Sequence, residues 1–477
     1  MPLLDPHDPR PIHFQGIAGA GMSALAELCH RRGAAVTGCD RAPEGAADLV
    51  ALGIPVQAGH DPAHLEGHRA LVVSSAIPKD HPEVVAARAL GLEVVRRAEA
   101  LAEATAGGTL IGIAGTHGKS TTTVMTTEAL AAAGKAPTGV VGARVTAWGG
   151  NLSRGGHDLF VVEADEYDRS FLALHPTVAV VTNVEADHLD IYRDLDDIRE
   201  TFATYVRRAR YVVLCADDPG ANALPSPATA EVIRYGITSP DARLRAEGLR
   251  TTEGGTRFAV RYDGKPMGEV TLGVPGLHNV RNALAALACG IGPWGLTVEA
   301  MAPGLARFVG AERRFQRLGT VEGITVVDDY AHHPTEVAAT LAAARAAYPD
   351  RRIVVAFQPH LFSRTRDFAE AFGVTLAASD VLLLADIYPA REAPLPGVTS
   401  ALIAAHAEAA GRAPAWMGPR AAMAEARATI DAANDFARQA ADLCLGRLHH
   451  ADESTLKKLK RELRDFNIHT GEWKDRA

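Results

Sequence analysis

Hydrophobic residues fall into short runs that alternate with longer stretches of helical period, and this rhythm repeats three times along the chain. The run IHFQG at 12–16 predicts a first strand. After it Met22, Leu25, Ala26 and Cys29 recur at the spacing of one helix face, with Gly33 as a helix stop. AAVTGCD ending at Asp40, ALVVSSA at 70–76, and EVVAARALG with LEVVRRAEALAEA complete the first cycle. The small, flexible stretch TAGG at 105–108 marks a boundary. The second cycle opens with a strand TLIGIAG (109–115) and a helix STTTVMTTEALAAAG (120–134). Strands DLFVVEAD (158–165), TVAVVTNV (177–184) and YVVLCADD (211–218) follow. Residues 245–275 read as a small antiparallel patch turning at Asp263 and Gly264. The helix NVRNALAALACGIG then leads to a second boundary near Gly310–Arg314. The third cycle holds ITVVDDYA (324–331), a helix at 335–347, RIVVAFQP (352–359), a helix at 365–378 and DVLLLADIY (380–388). Beyond about residue 420 the strand signal stops, and 421–477 reads as helical, then polar. The expected class is α/β, with parallel sheets.

Composition bounds this picture. A length of 477 residues, at roughly 150 per domain, suggests about three domains. With 47% hydrophobic and 22% charged residues, the chain is an ordinary globular one, not a disordered, coiled-coil or collagen-like one. No apolar run approaches the roughly 18–20 residues that span a bilayer. The start MPLLDPHDPR lacks the basic and apolar regions of a secretory signal, so a cytoplasmic protein is expected. Lysine and arginine number 49 against 57 acids, a net charge of −8, which argues against general nucleic-acid binding. Any anionic ligand must therefore be held by local devices. The five cysteines (Cys29, Cys39, Cys215, Cys289 and Cys444) are scattered and never form a C-x-x-C pair. Neither a disulfide framework nor a structural zinc site is expected, and plain packing is the reading for each cysteine.

The chemistry begins at GTHGKS (115–120), between a buried strand and a helix. Glycines there let backbone N–H groups close around phosphate oxygens, and the helix N-terminus adds positive potential. Lys119 supplies a point charge for the outer phosphates, and the Ser120 hydroxyl can ligate Mg²⁺. Ile113 stands where a strict G-x-x-x-x-G-K-[ST] motif would have its first glycine, so this is a shorter variant. EADEYD (163–168) and TNVEADHLD (182–190) bring carboxylates and an imidazole to later strand ends, which line the same crevice in an open parallel sheet. GIAGAG (16–21), with Asp40 after the next strand, has the context of a dinucleotide fingerprint, although Ala18 breaks the strict pattern. GLHNVRNALAA (276–286) and GAERRFQ (310–316) offer Asn and Arg for a purine edge or phosphates. DDYAHHPTE (328–336) and FQPHLFSRTR (357–366) place His, Tyr and Arg after strands, with Arg364 and Arg366 as anion clamps.

Taken together, GTHGKSTTT, EADEYD, TNVEADHLD, GLHNVRNALAA, RRFQ and DDYAHHP resemble the Mur ligases, the ATP-dependent amide-forming enzymes of peptidoglycan precursor synthesis. GIAGAGMS (16–23), VVSSAIP (72–78) and FQPHLFSRTR are most similar to the alanine-adding branch of that family. The resemblance is collinear over about residues 10–400. It implies a three-domain Mur ligase architecture: a Rossmann-like UDP-sugar domain (1–107), a central P-loop ATPase domain (108–312) and a C-terminal Rossmann-like amino-acid domain (313–420), then an atypical helical segment (421–477). The first glycine loop would then hold a UDP-sugar. Ala18, Gly19, Ala20, Gly21 and Met22 would meet the diphosphate, with Asp40, Ser74 and Ser75 near the uridine portion. For ATP the resemblance implies Gly115, Thr116, His117, Gly118, Lys119, Ser120 and Thr121 at the phosphates, and His278, Asn279 and Asn282 by the adenine. Arg313, Arg314 and Asp329 would come from the interdomain region. Ser120, Glu163 and His188 would bind Mg²⁺, and Tyr330, His360 and Arg364 would lie at the amino-acid end. Lys119, Glu163, His188, Arg314 and His360 form the implied catalytic set.

The implied reaction joins L-alanine to the lactyl carboxylate of UDP-N-acetylmuramate through an acyl phosphate, serving cell-wall biogenesis and hence cell shape and division. His332, His333 or His360 could assist the attacking amine. Leu361 departs from the arginine frequent at this position in alanine-adding ligases, which removes one potential carboxylate contact. The rival readings are a ligase that recycles a ready-made tripeptide onto UDP-muramate, a folylpolyglutamate-synthase-like ligase, disfavoured by the N-terminal cycle, and a nucleotide-binding relative that no longer catalyses. The last is motivated by 421–477, where neither the further strand nor the glycine motif of the family's third domain is seen and a basic stretch, STLKKLKRELRDF (454–466), stands instead.

Overall fold

A computed structural model of the chain describes residues 3–423, except 76, 190, 253–254, 322 and 391, together with the backbone of two short strands at 466–467 and 472–473. By packing, the residues up to Glu312 form one compact unit and those from Arg313 a second.

The first unit opens with five parallel strands: β1 (Ile12–Gln15), β2 (Val36–Asp40), β3 (Val56–Ala58), β4 (Ala70–Val73) and β5 (Glu93–Arg96), in the order 3-2-1-4-5. The order reverses between β1 and β4, and a crevice opens at the carboxyl ends of those two strands. There the glycine loop after β1 and the Ser74–Ser75 end of β4 come together. The helix Ala20–Arg31 buries Met22, Leu25, Ala26 and Cys29, the face its sequence spacing predicts.

A ten-stranded sheet follows, comprising β6 (Thr109–Ala114), β7 (Thr138–Val145), β8 (Gly150–Ser153), β9 (Leu159–Glu163), β10 (Val178–Val181), β11 (Tyr211–Cys215), β12 (Glu231–Gly236), β13 (Leu244–Thr252), β14 (Gly255–Tyr262) and β15 (Lys265–Leu272). Its order is 15-14-13-12-11-10-6-9-7-8. Strand β6 is central, pairing parallel with β10 and β9, and the phosphate loop therefore leaves the sheet between EADEYD and TNVEADHLD. The residues at 245–275 are not a separate patch. Strand β13 runs parallel to β12 and carries β14 and β15 into the same sheet. Their turn has φ of 47° at Asp263 and 75° at Gly264, as a two-residue hairpin requires. The helix Lys119–Ala132 is buried over most of its surface despite a threonine-rich sequence that favours strand. Two of its hydroxyls are satisfied within the helix: Thr123 donates to the Lys119 carbonyl at 2.9 Å and Thr127 to the Thr123 carbonyl at 2.8 Å. The main apolar core runs from Leu3 to Ala311, and a smaller cluster of Leu65, Leu71, Val73, Val84 and Ala87 packs separately.

The second unit has an antiparallel pair, β16 (Gln316–Val321) and β17 (Ile324–Asp328), and a parallel sheet of β18 (Val354–Phe357), β19 (Val381–Ala385) and β20 (Trp416–Gly418). Helices Pro334–Ala347, Phe362–Leu376 and Ala401–Ala409 cover a separate core built on Phe357, Phe372, Leu376, Leu382, Leu384 and Ile403. The helix expected from 365 starts three residues earlier, because Leu361 in a left-handed conformation (φ 71°) turns the chain directly into it. An α/β step does follow the 380–388 strand, in Ala401–Ala409 and β20, where alanine-rich sequence had concealed it. The wholly helical reading of 421–477 is corrected at one point: Phe466–Asn467 pairs antiparallel with Glu472–Trp473. Residues 424–465, with the basic stretch from 454 and Cys444, lie outside the described residues. Among the described residues no helix is long and apolar enough to cross a membrane.

Candidate functional site

The loop Gly115–Ser120 leaves the buried end of β6 and opens the helix Lys119–Ala132. Gly115 (φ 135°) and Gly118 (φ 80°) hold conformations that disfavour any side chain. A Cβ on Gly115 would meet Thr182 Oγ1 at 2.0 Å, and one on Gly118 would meet Asn282 Oδ1 at 2.8 Å. The strand end TNV braces the loop. His117 N–H donates to Asn183 Oδ1 at 2.7 Å, Thr182 Oγ1 donates to the His117 carbonyl at 2.6 Å, and Glu185 N–H donates to Thr116 Oγ1 at 2.9 Å. Thr121 lies buried within the first turn of the helix. Thr182 and Asn183 were passed over by sequence reasoning, though they stand inside a motif it quoted.

Lys119 closes the loop on itself. Its Nζ donates to the Gly115 carbonyl at 2.7 Å, to the Thr116 carbonyl at 3.2 Å and to Glu166 at 2.8 Å. Burial alone would lower the ammonium, but Glu166, Asp165 and Glu163 outweigh it and raise its pKa. Burial pushes Glu166 up to about 7 against the pull of Lys119. Ser120 Oγ lies 3.1 Å from both oxygens of Glu163, one of which also accepts from Gly142 N–H at 2.7 Å. His188, held at φ 54°, sets Nε2 3.7 Å from Glu166 and 3.8 Å from Asp187, its ring against Tyr167. The expected metal set thus divides into two neighbouring pairings, Ser120 with Glu163 and His188 with Glu166. Glu166 was the residue missed; it is the third acid after a strand end, a position where sequence alone does not say which acid turns inward.

The helix Leu277–Trp294 brings Asn282 against Gly118. Asn279, also buried, donates to the Pro275 carbonyl at 2.7 Å and accepts from Asn282 at 3.4 Å. Beside them burial, with Arg281, lowers His278 to about 4, so its ring is neutral at pH 7.

At the first glycine loop, Asp40 is a shaping residue. One oxygen accepts from Ala18 N–H and the other from Ala42 N–H, each at 3.0 Å. Met22 departs from expectation: its side chain is 4% exposed and its N–H donates to the Gly19 carbonyl. It faces inward because it carries the helix's apolar stripe. The exposed tip is Gly19 and Ala20, and the first amides of the helix, at Ala20 and Gly21, have no acceptor in the turn before them. Arg97, not foreseen, lies so close that a Cβ on Gly21 would be 2.9 Å from its Nη1. Ser75, Arg96, Arg97, Asp168 and Arg169 line a cavity of about 160 Å³.

In the second unit, Asp329 organises the segment that begins it. Its two oxygens accept from Phe315 and Ala331 N–H, each at 2.8 Å, and burial, opposed by Arg314, raises its pKa to about 6. Tyr330 N–H donates to the Arg313 carbonyl at 2.7 Å. The guanidinium groups of Arg313 and Arg314 lie 4.4 and 5.4 Å from the Tyr330 ring centre. Arg314 also approaches Glu336 at 3.8 Å. His360 lies between the rings of His332 (6.2 Å) and Tyr388 (5.8 Å). Of the two expected clamps, Arg364 is buried, whereas Arg366 is 57% exposed and pairs with Asp367 at 2.7 Å. Leu361 is itself buried, which explains an apolar residue there.

Three family models match the chain in order. They are Mur ligase family, catalytic domain, over residues 11–109; Mur ligase middle domain, over 113–290; and Mur ligase, glutamate ligase domain, over 313–445. A protein of Acidothermus cellulolyticus named UDP-N-acetylmuramate--L-alanine ligase is 47% identical over 430 residues, covering 87% of this chain and 90% of its own. One of the same name from Laribacter hongkongensis is 45% identical over 421 residues, covering 85% and 89%. Among solved structures, a UDP-N-acetylmuramate-alanine ligase of Thermotoga maritima superposes with a TM-score of 0.76 at 26% identity, covering 93% of this chain and 100% of that one. With a variant phosphate loop between two acid-bearing strand ends, and with all three models in register, the chain belongs to the Mur ligase family.

Proposed function

We propose that the chain joins L-alanine to the lactyl carboxylate of UDP-N-acetylmuramate at the expense of ATP. The observation that carries this is the loop Gly115–Ser120, where Lys119 meets Glu166 and Ser120 meets Glu163, in a chain 45–47% identical to proteins named for that reaction. Residues 1–107 take the UDP-sugar, 108–312 take ATP, and 313–420 take the amino acid.

A carboxylate is a poor acyl donor, so the γ-phosphoryl group of ATP must first be transferred to it, with ADP leaving. Lys119, already protonated and aimed at the loop's centre, exchanges Glu166 for phosphate oxygens and neutralises the charge that develops there. The loop amides orient the phosphates, and Asn279, Asn282 and neutral His278 flank the base. Ser120 and Glu163 supply the hard oxygen donors that suit Mg²⁺, and His188 stands next to them beside Glu166. Mg²⁺ bound there would offset phosphate charge during transfer. The amine of alanine then attacks the acyl carbon, and phosphate departs from the tetrahedral intermediate. Arg364 would meet the alanine carboxylate, and His360, His332 or His333 would take up the proton that the amine loses. Arg313 or Arg314 serves the phosphate charge. An acyl phosphate hydrolyses in water, so the reaction belongs to a closed site.

The test is phosphate release from ATP with Mg²⁺ and UDP-N-acetylmuramate, with L-alanine or with the tripeptide of the recycling reaction. Release that depends on L-alanine is the expected result. Dependence on the tripeptide would make the chain a recycling ligase, and no release from folded protein would make it a nucleotide-binding relative.

A further inference from the structure

The five-stranded sheet carries a polar cluster that the ligase reaction does not use. In β1 and β2 the register pairs His13 with Thr37 and Gln15 with Cys39, so the pleat puts all four on one face. His13, Gln15 and Cys39 are fully buried in central strands, where apolar residues are the rule. Over them come His64, from the turn Pro62–Leu65, and Glu83, from the helix Pro82–Ala89; Glu83 is also 0% exposed. The side-chain donor atoms of His13, Cys39, His64 and Glu83 all lie within 4.8 Å of one another.

The hydrogen bonds fix which nitrogen of His13 faces this cluster. His68 Nδ1 lies 3.0 Å from the Glu66 carbonyl, which only accepts, so Nδ1 carries the proton. Burial keeps His68 neutral, and its Nε2 therefore accepts from the Thr37 hydroxyl at 2.8 Å. Thr37 Oγ1 in turn accepts from His13 Nδ1 at 2.9 Å. That leaves His13 Nε2 as a bare lone pair, deeply buried, with no hydrogen-bond partner among the described residues. His64 Nδ1 and Glu83 Oε2 are likewise unpartnered there. A bare imidazole lone pair gathered with a carboxylate in an apolar interior is unfavourable unless a proton or a cation lies between them.

We propose that His13, Cys39, His64 and Glu83 bind one zinc(II) ion that braces this sheet beneath the glycine loop. Imidazole, thiolate and carboxylate together are a zinc set, and a thiolate is a poor ligand for Mg²⁺ or Ca²⁺. One thiolate and one carboxylate balance the charge of the ion, so the loaded site is neutral, as a buried site must be. Ligand atoms around tetrahedral zinc are spaced roughly 3.3–3.8 Å apart. Cys39 Sγ to Glu83 Oε1 is already 3.3 Å, and His64 Nδ1 to Glu83 Oε1 is 3.7 Å. Burial and Glu83 hold Cys39 as a thiol, so zinc binding releases its proton. Thr37 orients His13 from behind, and His60, with Nδ1 3.5 Å from Glu83 Oε2, flanks the carboxylate. The site ties together the two strands that feed the UDP-sugar loop, because Cys39 precedes Asp40, whose carboxylate holds Ala18. The ligands come from four separate elements, and no local cysteine spacing announces them.

The test uses untagged full-length protein. Elemental analysis is expected to give one zinc per chain, and removing it with a chelator to lower Tm by roughly 5–10 °C. Cobalt(II) added to the stripped protein, with Mg²⁺ in excess, should saturate at one equivalent and show thiolate-to-metal absorption in the near ultraviolet. Cys39→Ser should abolish that band, and His13→Ala should abolish stoichiometric binding. Far-UV circular dichroism and UDP-N-acetylmuramate binding check that each variant is folded. Folded wild-type protein with no zinc, no cobalt band and a Tm indifferent to chelator would overturn the proposal. So would a folded Cys39→Ser variant that keeps the band.

Discussion

At the scale of single residues, the phosphate loop is organised around two acid contacts. Lys119 is held by two loop carbonyls and Glu166, a geometry that fixes the ammonium against the loop. Lys119→Ala should lower phosphate release by about 10²–10³-fold or more, while UDP-N-acetylmuramate binding, measured by calorimetry, stays intact. Loss of both would mean that the loop serves the sugar nucleotide. His278 gives a prediction in pH. Its folded pKa, about 4, lies below the ordinary 6.5. The unfolded chain therefore takes up a proton first as pH falls, and this residue's contribution, full above pH 6.5, is lost progressively down to about 4. Wild type should lose Tm relative to His278→Gln across that window, and parallel Tm curves would refute the assignment. The types of these residues were readable from motif and spacing. Their partners were not, because Glu163, Asp165 and Glu166 are chemically alike and only the turn after β9 decides which carboxylate meets lysine and which meets serine.

At the scale of elements, β6 shows how closely the sheet and its covering helices fit. A Cβ on Gly112 would lie 2.0 Å from the Tyr205 hydroxyl, which is buried without a hydrogen-bond partner among the described residues. Gly112→Ala should destabilise the first unit by about 2–4 kcal/mol in denaturant melts. Tyr205→Phe removes an unsatisfied polar atom and should be neutral or stabilising by about 1 kcal/mol. It should also recover part of the Gly112→Ala loss; equal losses in both backgrounds would place the strain elsewhere. Alternating apolar runs made the parallel strands legible in sequence, because burial on both faces demands continuous Val, Ile and Leu. The attachment of β13 to β12 was not legible. Antiparallel patterning is local, whereas the sheet that a hairpin joins depends on which edge lies open to it. The step through Ala401–Ala409 and β20 was missed for a related reason: a three-residue strand after an alanine-rich helix carries almost no periodic signal.

At the scale of the molecule, each unit encloses its own core, one running from Leu3 to Ala311 and another built between Val337 and Ala407. Scanning calorimetry should therefore resolve two transitions, and a 1–312 fragment should reproduce one of them. A single transition for the whole chain, with an unfolded fragment, would show that neither unit stands alone. With a net charge of −8, the chain offers anions no favourable overall field, so any anionic substrate must be held by local cations and amides. The amino-acid order by itself determined the alternation of strands and helices, the glycine loops and the family, since periodicity, backbone permissiveness and motif chemistry are properties of short segments. Tertiary structure alone decided that Glu166 holds Lys119, that Asp40 shapes the glycine loop, that Arg97 lies against it, and that His13, Cys39, His64 and Glu83 converge. Such contacts join residues far apart in the chain, and their energies depend on burial and orientation that exist only once the sheets have closed.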